Sequence, residues 1–440
     1  MQCLGLDIGS STIKGAVLDL ESGTVHSITR EPFPEPVSGL PPGWFEVDPT
    51  EVVARTRSVI SQLLRQAPQA NSLFLCGQMG GVVLVDKAGA PRTRYLSWRD
   101  QRTLSGALEQ VQARLGPFLP HLGNELKPGS MTSLLYWLQQ AGELSPGWRP
   151  ATIGDFVISQ LSGTLPRMEG TQAIGLVDLQ LQGWNMRAFE ALGLDRLDWG
   201  EMASATTPVA SATIDGRELA VYPTLGDQQC ALRGVGLQVG DLSINVSTGS
   251  QVSRVTREFL PGEYQSRYFL DGTFLNTMTH IPAGRALNVL VDLLLALPNS
   301  RGVTVSNPWE VISREAALAS DGAGGLRCHP AFFDSPIGRE GQITGITTEN
   351  LTLGNLFRAT FESMARTYDQ LADRLWPERA WQRVVVSGGL TRSVPILREL
   401  IERRFPGQLV ETTADEETLL GLLEIARAAS HVAPENLTRQ

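Results

Sequence analysis

Met1-Gln2-Cys3-Leu4-Gly5-Leu6-Asp7-Ile8-Gly9-Ser10-Ser11-Thr12-Ile13-Lys14-Gly15 opens the chain. An apolar run ends in Asp7, a Gly-Ser-Ser-Thr turn follows, and a second apolar run, Ile13 to Leu20, leaves it. That pattern predicts a β-hairpin with small residues at its tip. Gly9 lets the backbone approach a ligand closely, and the amides and hydroxyls of Ser10, Ser11 and Thr12 form a concave anion site. Asp7, at the strand end, can hold a hydrated divalent cation, and Lys14 supplies positive charge. The competing reading is a hairpin that only turns the chain. Near mid-chain, Leu242-Ser243-Ile244-Asn245-Val246-Ser247-Thr248-Gly249-Ser250-Gln251-Val252 repeats the plan of strand, Ser/Thr/Gly turn and strand. Two such units half a chain apart predict two related domains facing each other across a cleft.

The 440 residues suffice for two domains with separate cores. A hydrophobic content of 42% and a charged content of 19% are those of a globular protein. The net charge of -9 argues against non-specific binding to nucleic acid or anionic membranes. Cys3, Cys76, Cys230 and Cys328 show no paired metal spacing and read as reduced, structural thiols. The N-terminus enters a strand without a basic or hydrophobic leader pattern, and the apolar stretch Ala286 to Leu297 is too short to span a bilayer. These features place the protein in the cytoplasm.

Between the hairpins, Asp48-Pro49-Thr50-Glu51 reads as a helix start, with Val52, Val59, Ile60 and Leu63 on one face. The buried strand Leu73 to Gly77 runs into Gln78-Met79-Gly80-Gly81, a bare turn or a ligand-facing loop. In Trp98-Arg99-Asp100-Gln101-Arg102 a carboxylate and a guanidinium stand two apart beside an aromatic face. That arrangement suits hydroxyl recognition, which needs acceptors as well as donors, or a surface ion pair at a helix start. Asp155 and Gly163 read as the cap and the end of a helix. Asp227 heads another helix, either as a cap or as a carboxylate able to take a proton from a hydroxyl. Later come an apolar helix from Ala283 to Leu297, an amphipathic one from Asn355 to Trp376, and the strand-to-helix turn Gly388-Gly389-Leu390. Thr413-Ala414-Asp415-Glu416 has capping-box spacing before the last helix.

These segments, in this order from Leu4 to about Ala429, resemble the FGGY carbohydrate kinases of the actin/hexokinase/Hsp70 superfamily. The resemblance implies an α/β fold of two ribonuclease-H-like domains, 1–238 and 239–440, clamping ATP and a sugar. It implies Asp227 as catalytic base and, with Asp7, as holder of Mg²⁺. Gln78, Met79, Gly80, Trp98, Asp100, Arg102 and Asp227 are then the sugar-side residues. Gly9, Ser10, Ser11, Thr12, Lys14, Ser247, Thr248, Gly249 and Ser250 hold phosphates, and Gly388, Gly389 and Leu390 hold adenosine. Two departures stand on the sugar side: Gly80 replaces a usual His, and the segment after Gly170 lacks a usual Asp. Thr152 to Val157 and Gln182 to Asn185 look most like sedoheptulokinases, which favours a seven-carbon ketose. A xylulokinase, another pentulose or polyol kinase, a non-catalytic sensor and a chaperone-like ATPase are the alternatives. The partners implied are a small sugar and ATP, with no nucleic acid and no membrane; a homodimer is compatible with the reading.

Overall fold

The protein is described here from a computed structural model covering residues 1–411 and 415–432. Two six-stranded mixed sheets dominate it. The first runs in the order Ala210–Ile214, Arg217–Gly226, Ser72–Gly77, Gln2–Ile8, Thr12–Asp19, Thr24–Pro32. The second runs Gln265–Tyr268, Phe274–Pro282, Gly249–Thr256, Asp241–Val246, Arg383–Ser387, Leu409–Glu411. Each contains the same five-strand unit, with two antiparallel pairings followed by two parallel ones. Both predicted hairpins are present and occupy corresponding places in the two sheets.

The central strands read as near-continuous apolar runs because helices cover both faces. Ser72–Gly77 is buried at every residue. Pro49–Gln66 lies on one face, capped by Asp48, whose side chain accepts from the Thr50 amide. Its Val59 and Leu63 press onto Gly15, where a β-carbon would fall 2.6 Å from Val59 Cγ1. Ile153–Ser162 shares that core, but its cap is Thr152. Asp155 instead answers from the third helical position and completes a capping box, and Gly163 ends the helix in the left-handed region. The long amphipathic helix spans Leu353–Leu375 and buries Phe357, Phe361, Tyr368 and Leu371 against the second sheet. The apolar helix expected from Ala283 to Leu297 spans Gly284–Ser300. It buries Leu287, Leu290 and Val291 in the second core and leaves Leu293 and Leu297 largely in solvent. Among the described residues, no helix is long and apolar enough to cross a membrane. All four cysteines are buried and free.

Glu417–Val432, the last helix, follows the second sheet in sequence yet packs on the first. Leu419, Leu422, Leu423 and Ala426 share a core with Cys3, Leu18, Phe74, Cys76 and Cys230. Its predicted cap residues Thr413 and Ala414 lie outside the described residues. The helix crosses Asp227–Gly234 at two glycines: a β-carbon on Gly421 would stand 1.9 Å from Cys230 O, and one on Gly234 would stand 1.9 Å from Glu417 O. Alanine in a helix normally gains about 1 kcal/mol over glycine. Here backbone atoms block the added methyl, so overpacking of about 1–3 kcal/mol outweighs the gain. Gly421→Ala should therefore lower the denaturant midpoint; an unchanged or raised midpoint would contradict this close crossing.

Candidate active site

Asp7 closes a strand whose residues from Cys3 onward are all buried, in register with Lys14 on one side and Cys76 on the other. Its Oδ2 accepts from Thr418 Oγ1 at 2.8 Å and lies 3.3 Å from Lys14 Nζ. Its Oδ1 is buried with no hydrogen-bond partner. Burial raises the Asp7 carboxyl above its ordinary range, with Lys14 and the Thr418 bond opposing. The turn beyond it is closed by the Gly9 amide donating to Thr12 O at 3.1 Å. Ser10 at its tip faces a cavity of about 270 Å³, while Ser11 is exposed.

Gln78 leaves the neighbouring strand, its amide donating to Ile8 O at 3.0 Å, and its side-chain Oε1 is buried without a partner. Gly80 and Gly81 follow at φ 79° and 69°. A β-carbon on Gly80 would sit 3.2 Å from Trp98 Cβ, which accounts for the absence of any side chain there. Gln78, Met79, Gly80 and a 42%-exposed Trp98 all line the cavity. So does Asp227, the first residue of its helix rather than its cap, since the cap position belongs to Gly226. Asp227 Oδ1 accepts from the Gln228 amide at 2.7 Å. Burial, with the nearby Asp7 carboxylate, pushes the Asp227 carboxyl up to about 7.

The second hairpin carries Ser247, Thr248 and Gly249 exposed at its tip. Ser247 Oγ donates to Asn245 Oδ1 and to Gly249 O, both at 3.1 Å. Gly388 stands at φ 99°, where a β-carbon would meet Val246 O at 2.3 Å, so the Gly388-Gly389-Leu390 turn abuts this hairpin. Ser250 departs from its expected place. Its side chain is buried and shares a hydrogen bond with Tyr368 OH at 2.8 Å, so its hydroxyl serves the core rather than the loop.

Asp100 and Arg102 are a second correction. Both are buried and closed on each other, with Arg102 Nε to Asp100 Oδ1 at 2.9 Å and Nη2 to Asp100 Oδ2 at 2.8 Å. The Phe45 amide also donates to Asp100, and the guanidinium lies 3.9 Å from the Trp44 ring centroid. A bidentate pair inside an aromatic sandwich anchors the Trp44 loop under Trp98 and offers nothing to the cavity. Lys14 is the third: Asp7 and Glu416 both pair with it, so its charge is already matched.

Several site residues escaped the sequence reading. Glu125, Lys127, Arg267, Thr279 and His280 line the cavity. Arg267 Nε pairs with Glu125, joining segments 142 positions apart. Gln172 ties two strand ends together, donating to Gly77 O at 3.1 Å and Leu225 O at 2.8 Å, and Thr171 Oγ1 accepts from the Gly226 amide at 2.8 Å. Glu169 Oε2 in turn accepts from Thr171. Glu169 is thus a buried carboxylate that holds the Thr171 turn and does not line the cavity.

Residues 2–234 match the model of the FGGY family of carbohydrate kinases, N-terminal domain. The xylulose kinase of Lactococcus lactis is 24% identical over 453 aligned residues, covering 96% of this chain and 87% of that protein. The ligand-bound xylulose kinase of Lactobacillus acidophilus superposes with a TM-score of 0.85 at 18% identity, covering 99% of this chain and 90% of that one. The gluconate kinase of the same organism gives a TM-score of 0.85 at 17% identity, covering 99% and 91%. The fold is that of the actin/hexokinase-like kinases, two ribonuclease-H-like α/β units. This chain belongs to the FGGY family of carbohydrate kinases and is an ATP-dependent sugar kinase.

Thr418 Oγ1 donates to Asp7 Oδ2 and makes Asp7 testable without altering it. Thr418→Val keeps shape and removes a hydrogen bond to a carboxylate, which is worth about 1.5–3 kcal/mol. Sugar-dependent ADP release should fall roughly 10–100-fold while the melting temperature moves little. Full activity in this variant would show that the contact does not orient Asp7.

Proposed function

We propose that this chain transfers the γ-phosphoryl group of ATP to a hydroxyl of an open-chain sugar, with Asp227 as the base. The observation that carries the reading is Asp227 on the cavity wall, with the Asp7 carboxylate behind it close enough to act on its charge. One carboxylate has a free buried oxygen, and the other is held near neutrality by burial and by the first. A carboxylate titrating near neutral pH is well matched to proton transfer from a hydroxyl. The acceptor oxygen forms a bond to the γ-phosphorus, and the bond from that phosphorus to the β–γ bridging oxygen breaks. ADP leaves, and the hydroxyl proton passes to Asp227. Ser10 to Thr12 and Ser247 to Gly249 would hold the phosphates and Gly388 to Leu390 the adenosine, so alignment carries much of the rate.

The free Oδ1 of Asp7, with Asp227 beside it, fits Mg²⁺. This ion uses one or two carboxylates together with phosphates and water, so a larger acidic cluster, absent among the described residues, is not required. When bound, it would neutralise charge on the phosphates. We divide the chain at 238/239 into a sugar-binding and a nucleotide-binding domain, with the last helix returning to the first. ATP as donor suits the cytoplasm. The relatives' names favour xylulose as the neutral acceptor, and sedoheptulose is the other ketose to try. A sensor without catalysis is disfavoured by the retention of Asp7 and of Asp227 at the cavity.

Asp227→Asn tests the chemistry. Asn keeps the shape and can accept from the Gln228 amide, but takes up no proton at neutral pH. Turnover of the preferred sugar should fall roughly 10²–10⁴-fold with melting temperature and ATP affinity nearly unchanged. A variant turning over within a few-fold of the parent would move the base elsewhere.

A further inference from the structure

Two basic side chains, Lys127 and Arg267, line the cavity, and they are treated differently. Arg267 is matched: it pairs with Glu125 and also donates to Gln228 Oε1. Lys127 pairs with no carboxylate among the described residues. Its Nζ reaches Thr279 Oγ1 at 3.3 Å and His280 Nδ1 at 3.2 Å, both neutral groups. Burial and the charge of Lys127 hold the His280 imidazole well below its usual range, so it adds no second charge near neutral pH. His280 itself is kept at φ 62°, a strained conformation for a residue with a β-carbon, which fixes its ring beside Lys127.

Glu125 and Arg267 both act on Lys127 through their charges, but they are paired with each other, and a half-buried ammonium with no carboxylate partner of its own is costly unless an anion completes it. A neutral polyol needs acceptors as well as donors from its site. Asp100 is closed on Arg102 and Glu125 on Arg267, so neither carboxylate completes Lys127, while Gln78 Oε1 and Asp227 remain as acceptors for sugar hydroxyls. A carboxylate only accepts hydrogen bonds, which is what an ammonium and a threonine hydroxyl offer.

We propose that the sugar acceptor carries a carboxylate seated on Lys127 beside Thr279, so that the preferred substrate is a sugar acid and Lys127 selects it. This rests on the cavity being the acceptor site and Asp227 the base; the transfer itself is unchanged. Burial, with Arg267 adding to it and Glu125 opposing, pushes the Lys127 ammonium down to about 8. An ammonium is lost as pH rises through its pKa. Recognition of the acid should therefore weaken above about 8, and recognition of a neutral sugar should not.

The test compares gluconate and xylonate with the matched alditols glucitol and xylitol and with xylulose, using the full chain, ATP and Mg²⁺. Dissociation constants with a non-hydrolysable ATP analogue score any compound that is not turned over. At least one acid should exceed its alditol and xylulose by roughly 10–100-fold, the worth of one charged hydrogen-bonded contact. Lys127→Met should erase that ratio mainly through KM, and Lys127→Arg should recover part of it. A neutral compound preferred by the parent, or an acid-to-neutral ratio within about twofold of the parent's in Lys127→Met, overturns the proposal. If Asp227→Asn remains active, the site reading fails. If that variant is inactive and acids are still not preferred, only the carboxylate assignment fails.

Discussion

Asp7 is held by one oxygen and free at the other, and much of the molecule follows from keeping it so. Thr418 and Lys14 meet Oδ2, while Oδ1 is buried and unpartnered. A buried carboxylate in this state is expensive, and packing must over-determine its position. The chain does this by bringing its last helix back across the first sheet, so that residue 418 touches residue 7. Gly421 and Gly234 permit the close crossing, and Glu416 at the helix start completes the Lys14 pairing. The helix that carries Asp227 is the one it crosses, so both carboxylates are braced by one contact surface.

The two sheets repeat one plan, yet their hairpins have diverged chemically. Where the first has Asp7 in register with Lys14, the second has Asn245 in register with Gln251. Asn245 donates to Ser387 Oγ at 2.8 Å and accepts from Ser247, so its polar atoms serve to fix the loop. Charge therefore concentrates on the first hairpin and backbone shape on the second. That division suits a site in which one side manages charge and the other grips a phosphate chain.

The hairpins, the order of buried strands and the Gly-rich turns were legible because they depend on local pattern: alternation, apolar runs and small residues at forced positions. The places of Asp7, Gln78 and Asp227 in the fold were legible because strand ends and helix starts are readable. Side-chain direction was not. Ser250 lies within a Ser/Thr/Gly loop motif but points at Tyr368, and Asp100 and Arg102 face each other instead of the cavity. Glu125, Lys127, Arg267 and His280 have no local signature, since what unites them is the pairing of distant segments such as Gly123 with Ser266. Thr418 is the extreme case, a lone hydroxyl whose partner lies 411 positions away.

In the proposed mechanism one cleft holds the γ-phosphoryl group between the two hairpin tips with the acceptor against Asp227. An experimental structure with Mg²⁺, a non-hydrolysable ATP analogue and an acceptor tests it directly. The expected result has phosphate oxygens on the 9–12 and 247–249 loops and one acceptor hydroxyl within hydrogen-bond reach of Asp227. A nucleotide whose phosphates lie away from both loops, or an acceptor bound out of reach of Asp227, would contradict the account.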